Sequence, residues 1–588
     1  MSLWQLLWRL WRYAPGLYLL GTVLSLLGAA LLVAPAFIAR GFFDALTGQV
    51  HLPLGIYQLS ALLVAIQALA VGLNLWSAYT TTTAMMTTKA LLRKNLVRHV
   101  LARSNMHALP ESSGQAVSRL RDDVDYAEGV LSQVIQRLGQ MVYGVVAFLI
   151  MFHINARITV VIVIPLLLVT VLVQQAGGQL VTYRQRNRTA AARVTGLIGE
   201  IFGAVQAIKL ANAEPAVIDH LRHLNAGRRQ AALRDRVVSE LFRAISANAV
   251  TVGVGAVLLL AAASIQSHAF SIGDFALFAV LLGSVTSAIP AIAGLLTFYR
   301  QATVSLDRLA ALLGGAPGET MVQYGPVYLS GEAPAVPFHH RATGDCLQRL
   351  EGRGLTYHHP GSNRGIEGID LTLERGSLTV ITGQVGAGKS TLLRVLLGLL
   401  PLESGEVWWN SRMVLDPAAH FVPPRSAFTP QVPYLFSETI RDNILLGLPE
   451  REVDLAEALD RAVLTPEVAG FDQQLDTVLG PRGIRLSGGQ RQRAAAARMF
   501  VTGAELLVVD DLSSALDVET EHCLWERLLR RRDATILAVS HRPSVLRQAD
   551  QIVVLKDGRA EAMGALHDLL EQCEEMRLIW SGRGIPVP

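Results

Sequence analysis

Long apolar runs dominate the first half of the chain and stop near residue 313. Six of them approach the roughly 20 residues that a helix needs to cross a bilayer core. One such run alone is compatible with a buried helix of a soluble protein, but six in succession predict a membrane domain over residues 1–313. The predicted spans are Leu17–Ile38, Leu59–Tyr79, Leu138–Phe152, Thr159–Val173, Ala247–Ile265 and Phe275–Phe298.

Arginine and lysine concentrate in two of the segments that connect these spans. Lys89–Arg121 and Arg184–Arg243 are rich in both residues, whereas the alternate connections hold little beyond Arg40 and Arg157. Because positive residues favour the cytoplasmic side, both long segments and both termini are predicted to be cytoplasmic. The apolar residues of the long segments keep helical spacing, which predicts helices that continue beyond the bilayer.

The N-terminal residues Met1–Tyr13 place tryptophans at helical spacing with arginines beside them. We expect an amphipathic helix in the membrane interface rather than a signal peptide, because no apolar core precedes a small-residue cleavage site. No predicted span carries an acidic residue at its centre, which weakens an ion-coupled mechanism. Thr80–Thr83, after the second span, have two alternative roles, the lining of a polar cavity or the favoured contact between helices.

Composition agrees with an integral membrane protein. Of the 588 residues, 51% are hydrophobic and 17% are charged, whereas soluble proteins carry about a quarter charged residues. The mild net charge of +4 does not indicate a nucleic-acid partner. The three cysteines are widely spaced, and the histidine pairs at 339–340 and 358–359 lack further ligands at suitable intervals, so neither a disulfide nor a metal–histidine site is predicted.

The second half of the chain has a different pattern. Residues 314–348 are rich in glycine, proline and polar side chains, which predicts a linker with one strand over Val322–Leu329. Over residues 349–588, apolar β-branched runs alternate with helical patterns, which predicts an α/β domain.

A glycine loop in this domain fits the phosphate-binding pattern Gly, four residues, Gly-Lys-Ser/Thr, and follows the apolar run Leu378–Ile381. Such glycines let backbone N–H groups surround phosphates, and the N-terminus of the next helix adds favourable charge. Lys389 is predicted to reach the β- and γ-phosphates of a nucleotide, and Ser390 to ligate Mg²⁺. The predicted loop residues are Gly383, Gln384, Val385, Gly386, Ala387, Gly388, Lys389, Ser390 and Thr391.

Five further stretches accompany the loop: Tyr357–Pro360, Thr429–Ser437, Leu486–Gln490, Leu506–Asp511 and Thr535–His541. Together with the six spans they resemble an ATP-binding cassette (ABC) transporter of the exporter type. The signature Leu-Ser-Gly-Gly-Gln is highly specific, and the resemblance covers nearly the whole chain. It implies a six-helix all-α membrane domain followed by an α/β P-loop cassette domain.

The resemblance also implies that two such chains pair around ATP. Each nucleotide would lie between the phosphate loop of one chain and the signature residues Ser487, Gly488, Gly489 and Gln490 of the other. Asp517, a few residues beyond the strand end at Asp510, is implied to communicate across this dimer.

The remaining motif residues have implied roles in hydrolysis. Asp510 would hold Mg²⁺ with Ser390, and Gln431 would contact Mg²⁺ or the attacking water. His541 would contact the γ-phosphate. Asp511 occupies the position of the general base.

Three departures from the family pattern affect these expectations. The general base is usually glutamate, and Asp511 is shorter by one C–C bond, roughly 1.5 Å. A slow site is therefore expected, and in this family such a chain is often half of a heterodimer, which we favour over a homodimer. Adenine stacking has two candidates, Tyr357 and His359. The segment Gly480–Gly483 lacks the glutamate that many exporters carry there.

The implied function is ATP-driven export or flipping of a hydrophobic or amphipathic substrate, whether small molecule, lipid or peptide. The alternative that stays open is uptake of a small molecule through an exporter-like fold. A cassette ATPase that acts on ribosomes or DNA is disfavoured by the six spans, and a regulatory membrane ATPase without a transported substrate is a further alternative. The expected cofactors are ATP and Mg²⁺, the expected partners are a second half-transporter and membrane lipid, and the expected location is the bacterial inner membrane.

Overall fold

A computed structural model of the chain describes residues 1–47, 55–102, 113–175, 177–266, 270–329, 331, 346–362, 364–480, 483–513, 515–530 and 534–581. The chain divides into two compact units. The first comprises Met1–Val100 and Glu111–Ser330, and the second comprises Leu101–Pro110 and Gly331–Pro588. The histidine pair at 339–340 lies outside the described residues.

The described part of the first unit is helical up to Val322. It contains helices α1 to α11, a π-helical turn over Arg119–Asp123 and a 3₁₀ helix over Gly318–Val322. The helices are Leu3–Tyr13 (α1), Pro15–Leu31 (α2), Ala34–Leu46 (α3), Ile56–Ala102 (α4), Ser113–Ser118 (α5), Val124–Ile154 (α6), Ala156–Gln175 (α7), Gly177–Gly203 (α8), Val205–Leu210 (α9), Glu214–Gln266 (α10) and Ile272–Leu312 (α11).

Every predicted span lies on a helix of this unit. The first lies on α2 and α3, and the others lie on α4, α6, α7, α10 and α11 in order. Within the described part, three helical stretches are long and apolar enough to cross a membrane, namely Pro15–Leu46, Tyr57–Ala102 and Ala116–Ile154. Shorter apolar helical segments are Ala156–Pro165 and Ile272–Ala288. Many side chains of the fourth and fifth predicted spans lie outside the described set.

The long basic segments form the predicted helical extensions. Helix α4 continues from the second span to Ala102, and α8 with α10 covers most of Arg184–Arg243. The break between α2 and α3 lies at Leu32 and Val33, and Pro35 is the second residue of α3, where the missing N–H of a proline has no helical partner to lose.

The threonines after the second span contact a neighbouring helix. Thr80 and Thr81 are buried, and a Cβ on Gly21 of α2 would lie 2.5 Å from Oγ1 of Thr81. One turn earlier, Ser77 donates a hydrogen bond of 2.8 Å to the Gly21 carbonyl. Helix packing therefore accounts for these two threonines, whereas Thr82 is exposed.

The strand predicted over Val322–Leu329 is wrong. The segment begins with the 3₁₀ helix Gly318–Val322 and continues to residue 329 without regular structure. Its backbone is bonded by side chains instead of by a strand partner. Asn95 is 5% exposed and donates 3.0 and 2.8 Å hydrogen bonds to the carbonyls of Met321 and Gln323.

The second unit alternates strands and helices. Its short 3₁₀ turns aside, the elements are Arg349–His358 (β1), Gly365–Glu374 (β2), Leu378–Gly383 (β3), Lys389–Leu396 (α12), Ser404–Trp409 (β4), Arg412–Met413 (β5), Pro417–His420 (α13), Ser426–Thr429 (β6), Ile440–Leu445 (α14), Leu455–Arg461 (α15), Thr465–Ala469 (α16), Gly488–Phe500 (α17), Leu506–Asp510 (β7), Val518–Leu529 (α18), Thr535–Val539 (β8), Pro543–Leu546 (α19), Gln551–Lys556 (β9), Arg559–Gly564 (β10), Leu566–Gln572 (α20) and Glu574–Trp580 (α21).

Two sheets organise this unit. A six-stranded sheet has the order β10-β9-β3-β8-β7-β6, in which only the β9–β10 pair is antiparallel among the described strands. A four-stranded antiparallel sheet has the order β2-β1-β4-β5. Strands β3, β7 and β8 are buried along their whole length, as their apolar β-branched sequences predict for a sheet covered on both faces.

The parallel strands place the predicted motifs at one edge. The carboxyl ends of parallel strands lie on the same side of a sheet, so the phosphate loop after β3, Gln431 after β6, Asp510 at the end of β7 and His541 after β8 come together there. Alternate residues of each strand enter opposite cores, with Val380 in one and Ile381 in the other.

Candidate nucleotide-binding and hydrolysis site

The phosphate loop has the backbone that its glycines permit. Gly388 has φ of +98° and caps α12, a conformation that favours glycine. At Gly383 a Cβ would lie 2.2 Å from the carbonyl oxygen of Leu555, so a side chain cannot fit there. An open cavity of about 460 Å³ lies against residues 384–387. The loop therefore leaves room for an anionic ligand at a helix N-terminus.

The Lys389 ammonium group lies over this loop. It donates 2.8 and 2.7 Å hydrogen bonds to the carbonyls of Gly383 and Gln384. Burial lowers the pKa of Lys389, and the carboxylates of Asp510 and Asp511 act against that shift. The two carboxylates thus favour the charged form of the amine, which is the form that attracts phosphate.

Ser390 and Asp510 form the candidate metal position. The Ser390 hydroxyl donates a 3.1 Å hydrogen bond to Oδ1 of Asp510. Asp510 is 2% exposed, and its Oδ2 is buried without a hydrogen-bond partner. Burial raises the pKa of Asp510, which the hydrogen bond from Ser390 opposes. A buried carboxylate oxygen without a partner beside a hydroxyl fits Mg²⁺, which prefers oxygen ligands.

Gln431 and Asp511 meet beside this position. The Gln431 amide donates a 3.2 Å hydrogen bond to Oδ2 of Asp511, and Oδ1 of Asp511 is buried without a hydrogen-bond partner. The backbone of Asp511 is left-handed, with φ of +52°, and its N–H donates to the Val539 carbonyl at 3.1 Å. The Gln431 amide therefore orients one carboxylate oxygen of Asp511, and the bond to Val539 holds its backbone at the edge of the sheet.

The signature forms a capped helix start. The Ser487 hydroxyl accepts a 3.2 Å hydrogen bond from the Gln490 N–H, and the Gln490 side chain accepts a 3.0 Å bond from the Ser487 N–H. This reciprocal capping box begins α17. A Cβ on Gly489 would lie 2.9 Å from the Ala515 carbonyl oxygen, so the segment before Asp517 packs directly on the signature backbone.

Comparisons with known proteins cover both units. The model of the ABC transporter transmembrane region matches residues 18–289, and the model of the ABC transporter domain matches residues 366–514. An ATP-dependent lipid A-core flippase of Aromatoleum aromaticum is 27% identical over 82% of this chain and 77% of its own length. The multidrug resistance-like ATP-binding protein MdlA of Buchnera aphidicola is 24% identical over 82% of this chain and 81% of its own.

A solved structure of a bacterial Atm1-family ABC exporter with ATP bound has the same fold. Its TM-score is 0.71 at 19% identity, and the match covers 96% of this chain and 98% of that one. Both units are therefore matched, in the order of a membrane region followed by a cassette. The chain belongs to the ABC transporter family, as an exporter-type half-transporter.

In this ABC transporter the cassette binds and hydrolyses ATP, and the hydrolysis drives export or flipping across the membrane. Half-transporters of this kind dimerise. The structure brings Lys389, Ser390, Asp510, Asp511 and Gln431 into one network by direct hydrogen bonds or opposite charge.

The two candidate adenine rings have different surroundings. Tyr357 is 2% exposed and belongs to the core beside β1, so its faces are covered. His359 is half-buried, and its Nε2 lies 3.3 Å from Oγ1 of Thr391 in the phosphate loop. The rings of Tyr357 and His359 are nearly perpendicular, and their centroids lie 5.1 Å apart. His359 is therefore the ring that is accessible beside the loop.

Asp517 and Gln490 have local bonds that the sequence interpretation did not include. The Asp517 side chain caps α18 by accepting a 2.9 Å hydrogen bond from the Thr520 N–H, and this bond lowers the pKa of Asp517. The Gln490 side chain belongs to the capping box of α17. Ser514, Pro481 and Arg482 lie outside the described residues.

Sequence reasoning missed Gln492 as a residue of the site. Its amide donates a 3.4 Å hydrogen bond to the Gln431 carbonyl, and its side-chain oxygen accepts a 3.1 Å bond from the Ala515 N–H. It is 4% exposed, although a glutamine near a helix start is usually exposed. Its place on α17, two residues after the signature, was the available signal.

Proposed function

We propose that this transporter flips or exports an amphipathic lipid as one half of a heterodimer in the bacterial inner membrane. The observation that carries the proposal is the combination of a complete phosphate loop and signature with an aspartate at the general-base position. The substrate class is supported by the relatives named lipid A-core flippases and by predicted spans without acidic residues at their centres.

The proposed roles in ATP hydrolysis follow from the residues that meet at the edge of the sheet. Lys389 and the loop N–H groups bind the phosphates, and Ser390 with Oδ2 of Asp510 would hold Mg²⁺, with Gln431 beside them. When bound, Mg²⁺ neutralises charge on the phosphate oxygens. Asp511, oriented by Gln431, accepts the proton of the attacking water, and His541 contacts the γ-phosphate. The His359 ring contacts adenine.

The heterodimer is supported by the geometry of Asp511. Its carboxylate is bonded to Gln431 at 3.2 Å and is one methylene shorter than glutamate, so it reaches less far towards a water above the loop. General-base placement contributes about 10²–10⁴ in rate. The signature around Ser487 and Gly489 is intact, so it can complete a faster site on a different partner chain.

The proposed orientation places both termini, the basic helical extensions and the cassette in the cytoplasm. In α1, Trp4 and Trp8 are 70% and 53% exposed while Leu6 and Leu10 are buried. Exposed tryptophans beside arginines suit the membrane interface, which supports α1 as a surface anchor.

The test is transport by the purified chain, with and without its partner chain, in liposomes that contain a fluorescent lipid A analogue. Mg²⁺ and ATP added to outward-facing cassettes should move the lipid away from the cassette side, and omission of ATP should abolish the movement. Movement toward the cassette side would support the uptake alternative. ATP hydrolysis that no amphiphile stimulates and that moves no lipid would contradict the proposal.

A further inference from the structure

A buried acidic side chain lies where α2, α4 and α6 meet, in the first unit and outside the nucleotide site. Glu128 on α6 is fully buried, and its Oε1 accepts hydrogen bonds of 3.0 Å from the Tyr18 hydroxyl and 2.7 Å from the Ser132 hydroxyl. The Tyr18 hydroxyl of α2 also lies 3.0 Å from Oγ1 of Thr88 on α4. The side chain of Glu128 therefore links three helices through hydroxyl groups.

The direct partners of Glu128 are neutral. Its Oε2 is buried and has no hydrogen-bond partner among the residues that the structure describes, and no salt bridge reaches the side chain there. Lys89 and Arg93 on α4 pair instead with Asp125, three residues earlier on α6, at 3.0 and 3.1 Å. The two cations that α4 brings to this face of α6 are thus engaged by another carboxylate.

The other neighbouring helices, as far as they are described, supply Glu128 with no cation either. Arg308 of α11 lies 3.7 Å from Asp123, just before α6 begins. Trp11 of α1 packs against the buried apolar side chains around Tyr18. The described surroundings of Glu128 are therefore hydroxyls, apolar side chains and charges that are already paired with each other.

This setting decides the charge of Glu128. An ionised carboxylate that is taken out of water without a paired cation is so unfavourable that the group takes up a proton instead. A neutral carboxylic acid fits the contacts, because Oε1 accepts two hydroxyl hydrogens while Oε2 carries the proton. A metal cation fits them less well, because it needs several oxygen ligands at once and both hydroxyl bonds lie at Oε1.

We propose that Glu128 is a proton-binding site that holds α2, α4 and α6 together. While the three helices are packed as in this structure, Oε2 carries the proton. When water reaches the side chain, the O–H bond breaks, the proton passes to water and a negatively charged carboxylate remains. High pH should therefore loosen the packing of these helices. The inference concerns the membrane domain alone and depends neither on the substrate nor on the partner chain.

The first measurement detects the proton directly. Infrared difference spectra compare the full chain with E128Q at neutral pH in a maltoside detergent, which has no carbonyl group. We expect the wild type to show the carbonyl stretch of a protonated carboxyl group that E128Q lacks. S132A should shift this band, because one of the two hydrogen bonds to Oε1 is lost. E200Q is the matched control, since Glu200 is exposed on α8 and ionised at neutral pH, so its replacement should remove no such band.

The second measurement follows the thermal midpoint of unfolding against pH. A group that binds its proton more tightly in the folded than in the unfolded chain stabilises the fold at low pH and loses that contribution as the pH rises. Relative to E128Q, the midpoint of the wild type should therefore fall between about pH 5 and about pH 9. One proton shifts the unfolding equilibrium by up to about tenfold per pH unit. E200Q should follow the wild type.

Two results would overturn the inference, namely spectra of wild type and E128Q without a carboxyl difference, or a difference in midpoint that does not change with pH. A wild-type midpoint that rises with sodium at constant ionic strength, but not in E128Q, would also overturn it by assigning the site to a metal cation. If E128Q does not fold, an unshifted carboxyl band in S132A contradicts the proposal. Both measurements omit ATP and lipid A, so a failure of flipping leaves them unaffected.

Discussion

At the scale of single residues, the catalytic carboxylates are distinguished by their bonds. Asp510 is buried with one oxygen bonded to Ser390 and the other without a hydrogen-bond partner, whereas Asp511 is oriented by the Gln431 amide. The first arrangement suits a metal ligand and the second suits a base that faces water. In the proposed function these neighbouring aspartates have separate tasks, and we expect the length of the Asp511 side chain to limit the rate of hydrolysis.

Substitution of Asp511 by glutamate tests that conclusion. D511E adds one methylene at a backbone position whose φ of +52° is already tolerated by an aspartate. We expect Mg²⁺-dependent ATP hydrolysis by the purified chain to rise about tenfold or more, since base placement contributes about 10²–10⁴ in rate. Steady-state phosphate release measures this effect. The matched control D511N should stay at or below the wild-type rate, and a wild-type rate equal to that of D511E would contradict a slow site.

The adenine contact gives a second test at this scale. H359A removes the accessible ring beside Thr391 and should weaken ATP binding about three- to tenfold, because aromatic contacts contribute about 0.5–1.5 kcal/mol. Y357F keeps the buried ring and should leave the affinity within twofold. Equilibrium binding of ATP to both variants, with inorganic triphosphate as a ligand without base, measures the difference. If H359A weakens the binding of ATP and of triphosphate equally, His359 acts on the phosphate loop rather than on adenine.

At the scale of secondary-structure elements, the sequence predicted the features that hydrophobic periodicity and motif spacing determine. Six apolar runs predicted membrane helices, and the motif order predicted the strand ends that meet at one sheet edge. The strand over Val322–Leu329 was wrong because backbone carbonyls here, those of Met321 and Gln323, accept hydrogen bonds from the distant side chain of Asn95, which no local pattern reveals. No local pattern reveals the burial of Glu128 either. This fully buried carboxyl group on α6 accepts hydrogen bonds from the hydroxyls of Tyr18 and Ser132.

Loss of the Asn95 amide should destabilise the first unit. N95A leaves the buried carbonyl of Met321 and the part-buried carbonyl of Gln323 without their donor, at a cost of about 1–3 kcal/mol. The thermal midpoint of the detergent-solubilised chain measures the effect. N248A is the control, because that amide is exposed and donates to the Ala244 carbonyl in its own helix. Equal midpoints for N95A and wild type would show that the bonds to this segment do not stabilise it.

The contact between the signature and the segment before Asp517 gives the next test. An added Cβ at Gly489 would meet the Ala515 backbone at 2.9 Å, whereas one at Gly488 would meet the Ala515 methyl at an ordinary 3.4 Å. G489A should therefore increase amide hydrogen exchange at residues 515–517 and G488A should not. Hydrogen exchange followed by mass spectrometry measures both variants. If amide exchange at residues 515–517 is similar in G489A and G488A, the segment accommodates the added methyl group without being displaced.

At the scale of the whole molecule, the function depends on a second chain. The phosphate loop and the signature lie in one cassette, and in the proposed pairing each ATP lies between the loop of one chain and the signature of the other. If the partner is a different chain with a glutamate base, the two motifs of the present chain serve different sites. Its loop and Asp511 serve the slow site, and its signature serves the fast one.

That asymmetry leads to a prediction for the assembled transporter. In the heterodimer, S487A should reduce ATP hydrolysis and lipid transport by about tenfold or more, because Ser487 faces the nucleotide of the fast site. D511N should retain most of both activities, because it affects the slow site alone. A homodimer would lose activity with either substitution. The loss of the Ser487 cap costs about 1 kcal/mol of helix stability, so unchanged ATP binding by S487A must accompany the measurement. Greater sensitivity to D511N than to S487A would contradict the assignment of the slow site to this chain.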